Sequence, residues 1–170
     1  MLFPRDKKVS MTMNLSAAVF TAVRHNDLQS LSGLLTEKPD VNAVDPQGYT
    51  PLIIATYHGL MESSVLLLDH GAAINYQDYS GNTALMGVCF KGYDDILHLL
   101  LSRGADVNLK NQSHGTALMF ASMYGHRKIV EKLLAVGADP EVRDTRGFRA
   151  VDLAAQQGKR DIVSLLQNKV

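Results

Sequence analysis

The chain matches itself at an offset of 33 residues. Asp45, Asp78, Asn111 and Asp144 fall in one column, Thr50, Thr83 and Thr116 in a second, and Leu52, Leu85 and Leu118 in a third. Gly59, Gly92, Gly125 and Gly158 form a fourth column, and Gly71, Gly104 and Gly137 a fifth. Five columns in register without a gap leave few folds open. A period of this length means a stack of like units, each burying its apolar side on its neighbours.

Each column has a local physical role. In GYTPLIIATYHG, residues 48–59, Thr50 is placed to cap a helix and Pro51 sits at its first position. Leu52 and Ala55 lie three apart on one helical face, and Gly59 stops the helix where a left-handed backbone is needed. HRKIVEKLLAVG, residues 126–137, carries the stripe Ile129, Val130, Leu133 and Leu134 of a second helix that ends at Gly137. The following GADPEVRDTRG has turn composition. One unit is helix, turn, helix, then an extended finger.

The stretch SRGADVN, Ser102 to Asn108, read alone suggests a ligand loop in which Asp106 and Asn108 hold a cation. Its copies argue otherwise. Asp106 becomes Ala73 and Asn108 becomes Glu141, whereas the glycine and the alanine after it persist in all three. The stretch is a helix exit and the root of a finger.

TPL at 50–52, TAL at 83–85 and 116–118, the paired glycines and GADVN at 104–108 together resemble the ankyrin repeat, over about residues 14–168. The likeness is to small stand-alone ankyrin repeat proteins. It implies an all-α repeat solenoid of about five helix-turn-helix units with β-hairpin fingers, whose fingers and first helices make a concave face. The units expected are about 14–44, 45–77, 78–110, 111–143 and 144–170, after a flexible tail over 1–13.

The departures from the pattern carry expectations of their own. Unit one has Asn26 and Lys38 where later units have glycine and reads as an N-terminal cap. Unit two has Ser63 and Ser64 where later units have Ile96 and Leu97 or Ile129 and Val130, so its second helix should bury less apolar area. Unit four has His114 in a glycine column, which predicts an altered finger turn. Unit five has Arg149 in place of the capping threonine, and Lys159, Arg160, Asp161 and Lys169 suit a polar C-terminal cap.

Composition narrows the function. Lys plus Arg equals Asp plus Glu at 17 each, so no global field favours nucleic acid or an anionic membrane. No apolar run approaches the roughly 20 residues that span a bilayer. Cys89 is the single cysteine, which fits a reducing compartment and a cytoplasmic protein. Arg5, Lys7 and Lys8 ahead of LSAAVFTAV, residues 15–23, follow the order of a leader, which would instead mean a periplasmic or secreted protein. Cleavage there would remove the first helix of unit one, so a basic tail followed by an amphipathic helix is the preferred reading.

No GxxxxGK[ST], HExxH, GxSxG or cysteine pair is present, and the histidines at 25, 58, 70, 98, 114 and 126 lack ligand spacing. We therefore expect no catalytic, cofactor-binding or metal-binding residues. Met86 and Met119 are read as packing between repeats, and Cys89 as a small packed side chain.

What remains is the surface. The columns that the ankyrin architecture leaves free are the finger residues after the aligned Asp or Asn and the residues before each unit's first glycine. They supply the protein-binding candidates Gln47, Tyr49, Tyr57, His58, Tyr79, Asn82, Phe90, Lys91, Met123, Tyr124, Arg146 and Phe148. Six of the chain's eleven aromatics fall here: Tyr49, Tyr57, Tyr79, Phe90, Tyr124 and Phe148. Tyr and Arg dominate interface energetics. The competing reading is that these rings only stiffen neighbouring fingers. The sequence thus predicts a non-catalytic module, monomeric on its own, that binds a folded protein partner as an adaptor, inhibitor or immunity-type protein. Self-association of the same face and an enzyme with an unrecognised site are the alternatives.

Overall fold

A computed structural model describes residues 15–168 and divides into two compact units, Met1–Ala73 and Ile74–Val170. The expected tail over 1–13, its basic residues and Lys169 lie outside the described residues. Among the described residues there are ten helices and no strand. In the first unit they are α1 (15–24), α2 (Leu28–Thr36), α3 (Pro51–Tyr57) and α4 (Met61–Asp69). In the second they are α5 (Ala84–Lys91), α6 (Asp94–Ser102), α7 (Ala117–Tyr124), α8 (Arg127–Ala135), α9 (Ala150–Gln156) and α10 (Arg160–Gln167). Within the second unit α7 packs between α5 and α9, and α8 lies against both α6 and α10.

The threonine column caps the first helices as its position demands. The hydroxyls of Thr50, Thr83 and Thr116 accept from the N–H groups of Ile53, Met86 and Met119 at 3.3, 3.3 and 3.4 Å. Where Arg149 stands in that column the cap comes from the other end: Asp152 Oδ2 accepts from the Arg149 N–H at 2.9 Å. Arg149 also reaches Glu141 Oε2 at 3.0 Å and Asp152 Oδ2 at 3.3 Å. Arg160 and Asp161 are exposed at the start of α10, and the Arg149 cluster adds further charged groups to the last repeat. Lys159 packs its stem over Gly125 instead, with side-chain carbons 3.0–3.1 Å from where a Cβ would stand.

Apolar columns fill the interior. Leu31, Leu52 and Leu67 in the first unit, and Leu85, Leu97, Leu100, Leu118 and Leu133 in the second, are essentially inaccessible; each contributes about 1.5–3 kcal/mol by burial. Met86 and Met119 are buried, as packing residues should be. In α4 the buried set is Ser63, Ser64 and Leu67, against Ile96, Leu97 and Leu100 in α6. The serine pair thus takes an interior place without the apolar area, and Ser64 Oγ satisfies itself on Leu60 O at 2.7 Å.

The fingers are tighter than the expected β-hairpins. Each is a reverse turn closed by two backbone bonds and an Asx side chain. Asp78 N donates to Asn82 O at 2.9 Å and Gly81 N to Asp78 O at 2.8 Å, while Asp78 Oδ1 accepts from the N–H groups of Ser80 and Asn82. Asp45, Asn111 and Asp144 close their fingers with the same pattern. The carboxylate or amide takes up the N–H groups that a strand ladder would use.

The expectation that His114 alters its turn is not met. His114 takes φ +58°, and both closing bonds of the finger are present. Histidine enters the left-handed region more readily than most side chains. Asn26 and Lys38 likewise hold positive φ where later units have glycine.

The GADVN stretch also holds successive units together. Asn108 Oδ1 accepts from Asp139 N at 2.9 Å and its amide donates to Gly137 O at 3.0 Å. Asn75 Oδ1 accepts from Asp106 N at 2.9 Å, and Asn42 does the same for Ala73 N at 2.7 Å. Asp106 and Asn108 are thus architectural, as their substitution across copies implied.

Candidate functional site

Two elements carry the candidate residues in each unit: the finger turns, and the last turns of the first helices. In the second unit Tyr79 stands at a fingertip and is 62% exposed, held there by the Asx turn of Asp78. Phe90 and Tyr124 end successive first helices, and their rings meet edge to face at 4.4 Å between centroids. Phe90 is half-buried while Tyr124 is 43% exposed, so the pair presents one ring over another. Phe148 lies under the Arg146 guanidinium at 5.2 Å. Lys91 is exposed beside Phe90, and Met123 is half-buried beside Tyr124.

In the first unit Tyr49 and Tyr57 are exposed, Gln47 and His58 are exposed beside them, and the Tyr57 and His58 rings stand at right angles 5.7 Å apart. A groove of about 530 Å³ runs between α1 and its finger, lined by Ala17, Phe20 and Val44 and closed by Arg24. Arg24 Nη2 pairs with the buried Asp45 carboxylate at 2.6 Å and lies over the Phe20 ring at 5.4 Å.

Two candidates do structural work. The Asn82 side-chain carbonyl accepts from Asn111 Nδ2 at 2.8 Å and ties two fingers. Arg146 clamps Asp144 through Nη2 at 2.8 Å and Nε at 3.0 Å. Burial works against the Asp144 carboxylate, but the Phe148 N–H and the Arg146 guanidinium and N–H outweigh it and hold its pKa below the ordinary value.

A column outside the candidate set also lies on this surface: the residue just ahead of the aligned Asp or Asn, here Val44, Gln77, Lys110 and Arg143, of which Arg143 stands out in the sequence as part of a basic last finger. All four are exposed. Gln77 Nε2 bridges Gly81 O and Lys110 O at 2.7 and 2.9 Å, and Arg143 Nη1 donates to Gly147 O at 2.8 Å. Its changing residue type in an otherwise regular repeat was the signal.

Among the described residues no three His, Cys, Asp or Glu side chains gather for a metal ion. Cys89 is fully buried, and burial alone pushes its thiol far above the ordinary value, the opposite of an activated nucleophile.

Helix pairs with a capping threonine, left-handed glycine exits, Asx-closed fingers and asparagine clamps are in place. A family model described as ankyrin repeats (3 copies) matches residues 19–111 and 88–170. The chain belongs to the ankyrin repeat family. No curated protein compared with it matches. Ankyrin repeats are in general protein–protein interaction modules and typically non-catalytic, and what differs between them is the surface their fingers and first helices present. No described helix of this ankyrin protein is long and apolar enough to cross a membrane.

Proposed function

We propose that this ankyrin protein is a non-catalytic module that binds a folded protein partner through the concave side formed by fingers and first helices. It acts by covering part of that partner, as an adaptor, inhibitor or immunity-type protein of the cytoplasm, and is a monomer until it does so. The observation that carries the reading is the aromatic set held outside the core: Tyr79 at 62% exposure and Tyr124 at 43%, the latter propped on Phe90. Aromatics fixed in place and left in solvent cost little conformational entropy on binding and supply large contact area.

The test replaces Tyr57, Phe90 and Tyr124 together by alanine and compares captured proteins with those of the wild type, with helical circular dichroism as the folding control. A folded variant that loses one specific partner supports the reading. Identical captures by both proteins, or collapse of folding because the rings are core, overturn it. Sedimentation across concentration separates this function from self-association of the same face.

A further inference from the structure

In the second unit each finger lies against the next, with Gln112 N donating to Ser80 O and Thr145 N to Ser113 O, both at 3.0 Å. At the head of the first unit this register breaks. The 33-residue period puts Leu15 in the column of Gly48, which has φ +82°, but α1 has already begun there and Leu15 is helical. Ala17 stands in the capping column of Thr50. Residues 15–17 therefore cannot close a finger of the kind that Asp45 and Gly48 make. The corner between α1 and the finger that follows it is the groove of about 530 Å³. Pro46 has no N–H to offer at the place from which Gln112 and Thr145 donate. The groove has an apolar wall and one open charge. Ala17, Val44 and Pro46 are exposed, Val44 at 39%. Of the three charged residues that line it, Arg24 and Asp45 pair with each other at 2.6 Å. Asp40 is exposed and its Oδ1 accepts from Asn42 N at 2.9 Å; no described cation forms an ion pair with it, neighbouring Lys38 included.

We propose that this groove is the docking site of the chain's own residues 5–13. Val9, Met11 and Met13 alternate, so an extended segment turns all three to one side. They meet Ala17, Val44 and Pro46, while Lys7 or Lys8 meets Asp40. The segment carries Arg5, Lys7 and Lys8 against Asp6, the complement of a groove whose unpaired charge is a carboxylate. It is also tethered at the groove's edge. Asn14, a turn former, leads into α1, and Ser16 and Ala17 already line the groove. A segment joined to its site by so short a connection acts at an effective concentration of about millimolar, so weak contacts suffice. A partner reaches Val44 and Pro46 only by displacing this strap. The proposal goes beyond the partner face described above and does not draw on it.

Zero-length cross-linking of the full chain with a carbodiimide tests the contact. The reagent activates a carboxyl group, and a lysine amine in contact with it displaces the activating group as a urea and forms an amide. Monomer is separated on a sizing column, digested and read by tandem mass spectrometry. We expect Lys7 or Lys8 joined to Asp40 well ahead of Glu62 on α4 or of Asp139, and Asp40→Asn to remove that product. In parallel, limited trypsin cleavage after Arg5, Lys7 and Lys8 is timed in the wild type and in Asp40→Asn/Val44→Asn. Both replaced side chains are exposed, and helical circular dichroism controls for folding. Docking predicts cleavage at least about threefold faster in the double variant, with cleavage after Lys128 unchanged. If the double variant loses its helical signal, the cross-link alone decides. Three results overturn the proposal: cross-links spread evenly over distant carboxylates, a link to Asp40 found only in dimer, which makes a second copy the occupant, or equal cleavage rates in two folded proteins.

Discussion

Gly81 is the position where the finger architecture can be tested most sharply. It sits at φ +80°, at the tip of the first finger of the second unit. A Cβ there would stand 2.8 Å from Gln112 N and 2.9 Å from Asn111 Cα, both backbone atoms of the next finger. Gly147 has φ +86° and nothing within 4 Å of its would-be Cβ. Both substitutions to alanine carry the left-handed penalty of about 1–2 kcal/mol, and only Gly81→Ala must also push a finger away. That movement breaks the Gln112 N bond to Ser80 O at 3.0 Å and the Gln112 Nε2 bond to Tyr79 O at 2.6 Å. At about 0.5–1.5 kcal/mol net for each bond, Gly81→Ala should cost about 2–5 kcal/mol in all, against about 1–2 for Gly147→Ala. Urea denaturation followed by helical circular dichroism measures both. Equal losses within about 0.5 kcal/mol would refute the claim that contact between fingers, and not backbone strain alone, fixes glycine here.

Cys89 should be inert in the folded chain, because its thiol is buried and held protonated; Ellman's reagent at neutral pH should report no reaction until urea opens the fold, and prompt labelling of the native protein would contradict the packing described. Asp144→Asn should keep the finger, since Asn111 closes its own turn with the same two N–H groups. It should also flatten the acid limb of stability. The folded Asp144 pKa lies below the ordinary value, so its contribution is complete above about pH 4–5 and disappears as pH falls through the folded value. Melting temperatures from pH 3 to 7 that fall as steeply in Asp144→Asn as in the wild type would count against that assignment.

The elements legible in the sequence are those in which a column answers a demand of the backbone. Thr50, Thr83 and Thr116 cap helices with their own hydroxyls, and the glycine columns fall at left-handed exits. Each depends on neighbours a few residues away, so a single sequence exposes them. Contacts between copies are harder to see. Asn42, Asn75 and Asn108 form a column, yet their amides work on backbone groups 29 to 31 residues downstream, a relation that only the stacked chain reveals. His114 misleads in the other direction. Reading the glycine column as an absolute requirement ignores that histidine reaches the same φ at modest cost.

The surface follows from the same distinction. A column that keeps its residue is accounted for by the fold, so a partner site belongs where the type changes from copy to copy. Some variable positions prove to be structural: Gln77 bridges two fingers, Asn82 holds Asn111, and Arg146 clamps Asp144. Removing them leaves Tyr79, Lys110, Tyr124 and Arg143 among the exposed side chains on the finger side of the second unit that no capping or core requirement explains. Arg143 touches a carbonyl, but a glutamine serves that need two repeats earlier, so its charge is not what that contact requires. Tyr79 and Tyr124, exposed on adjacent repeats, are the rings that a partner site on this side would have to account for.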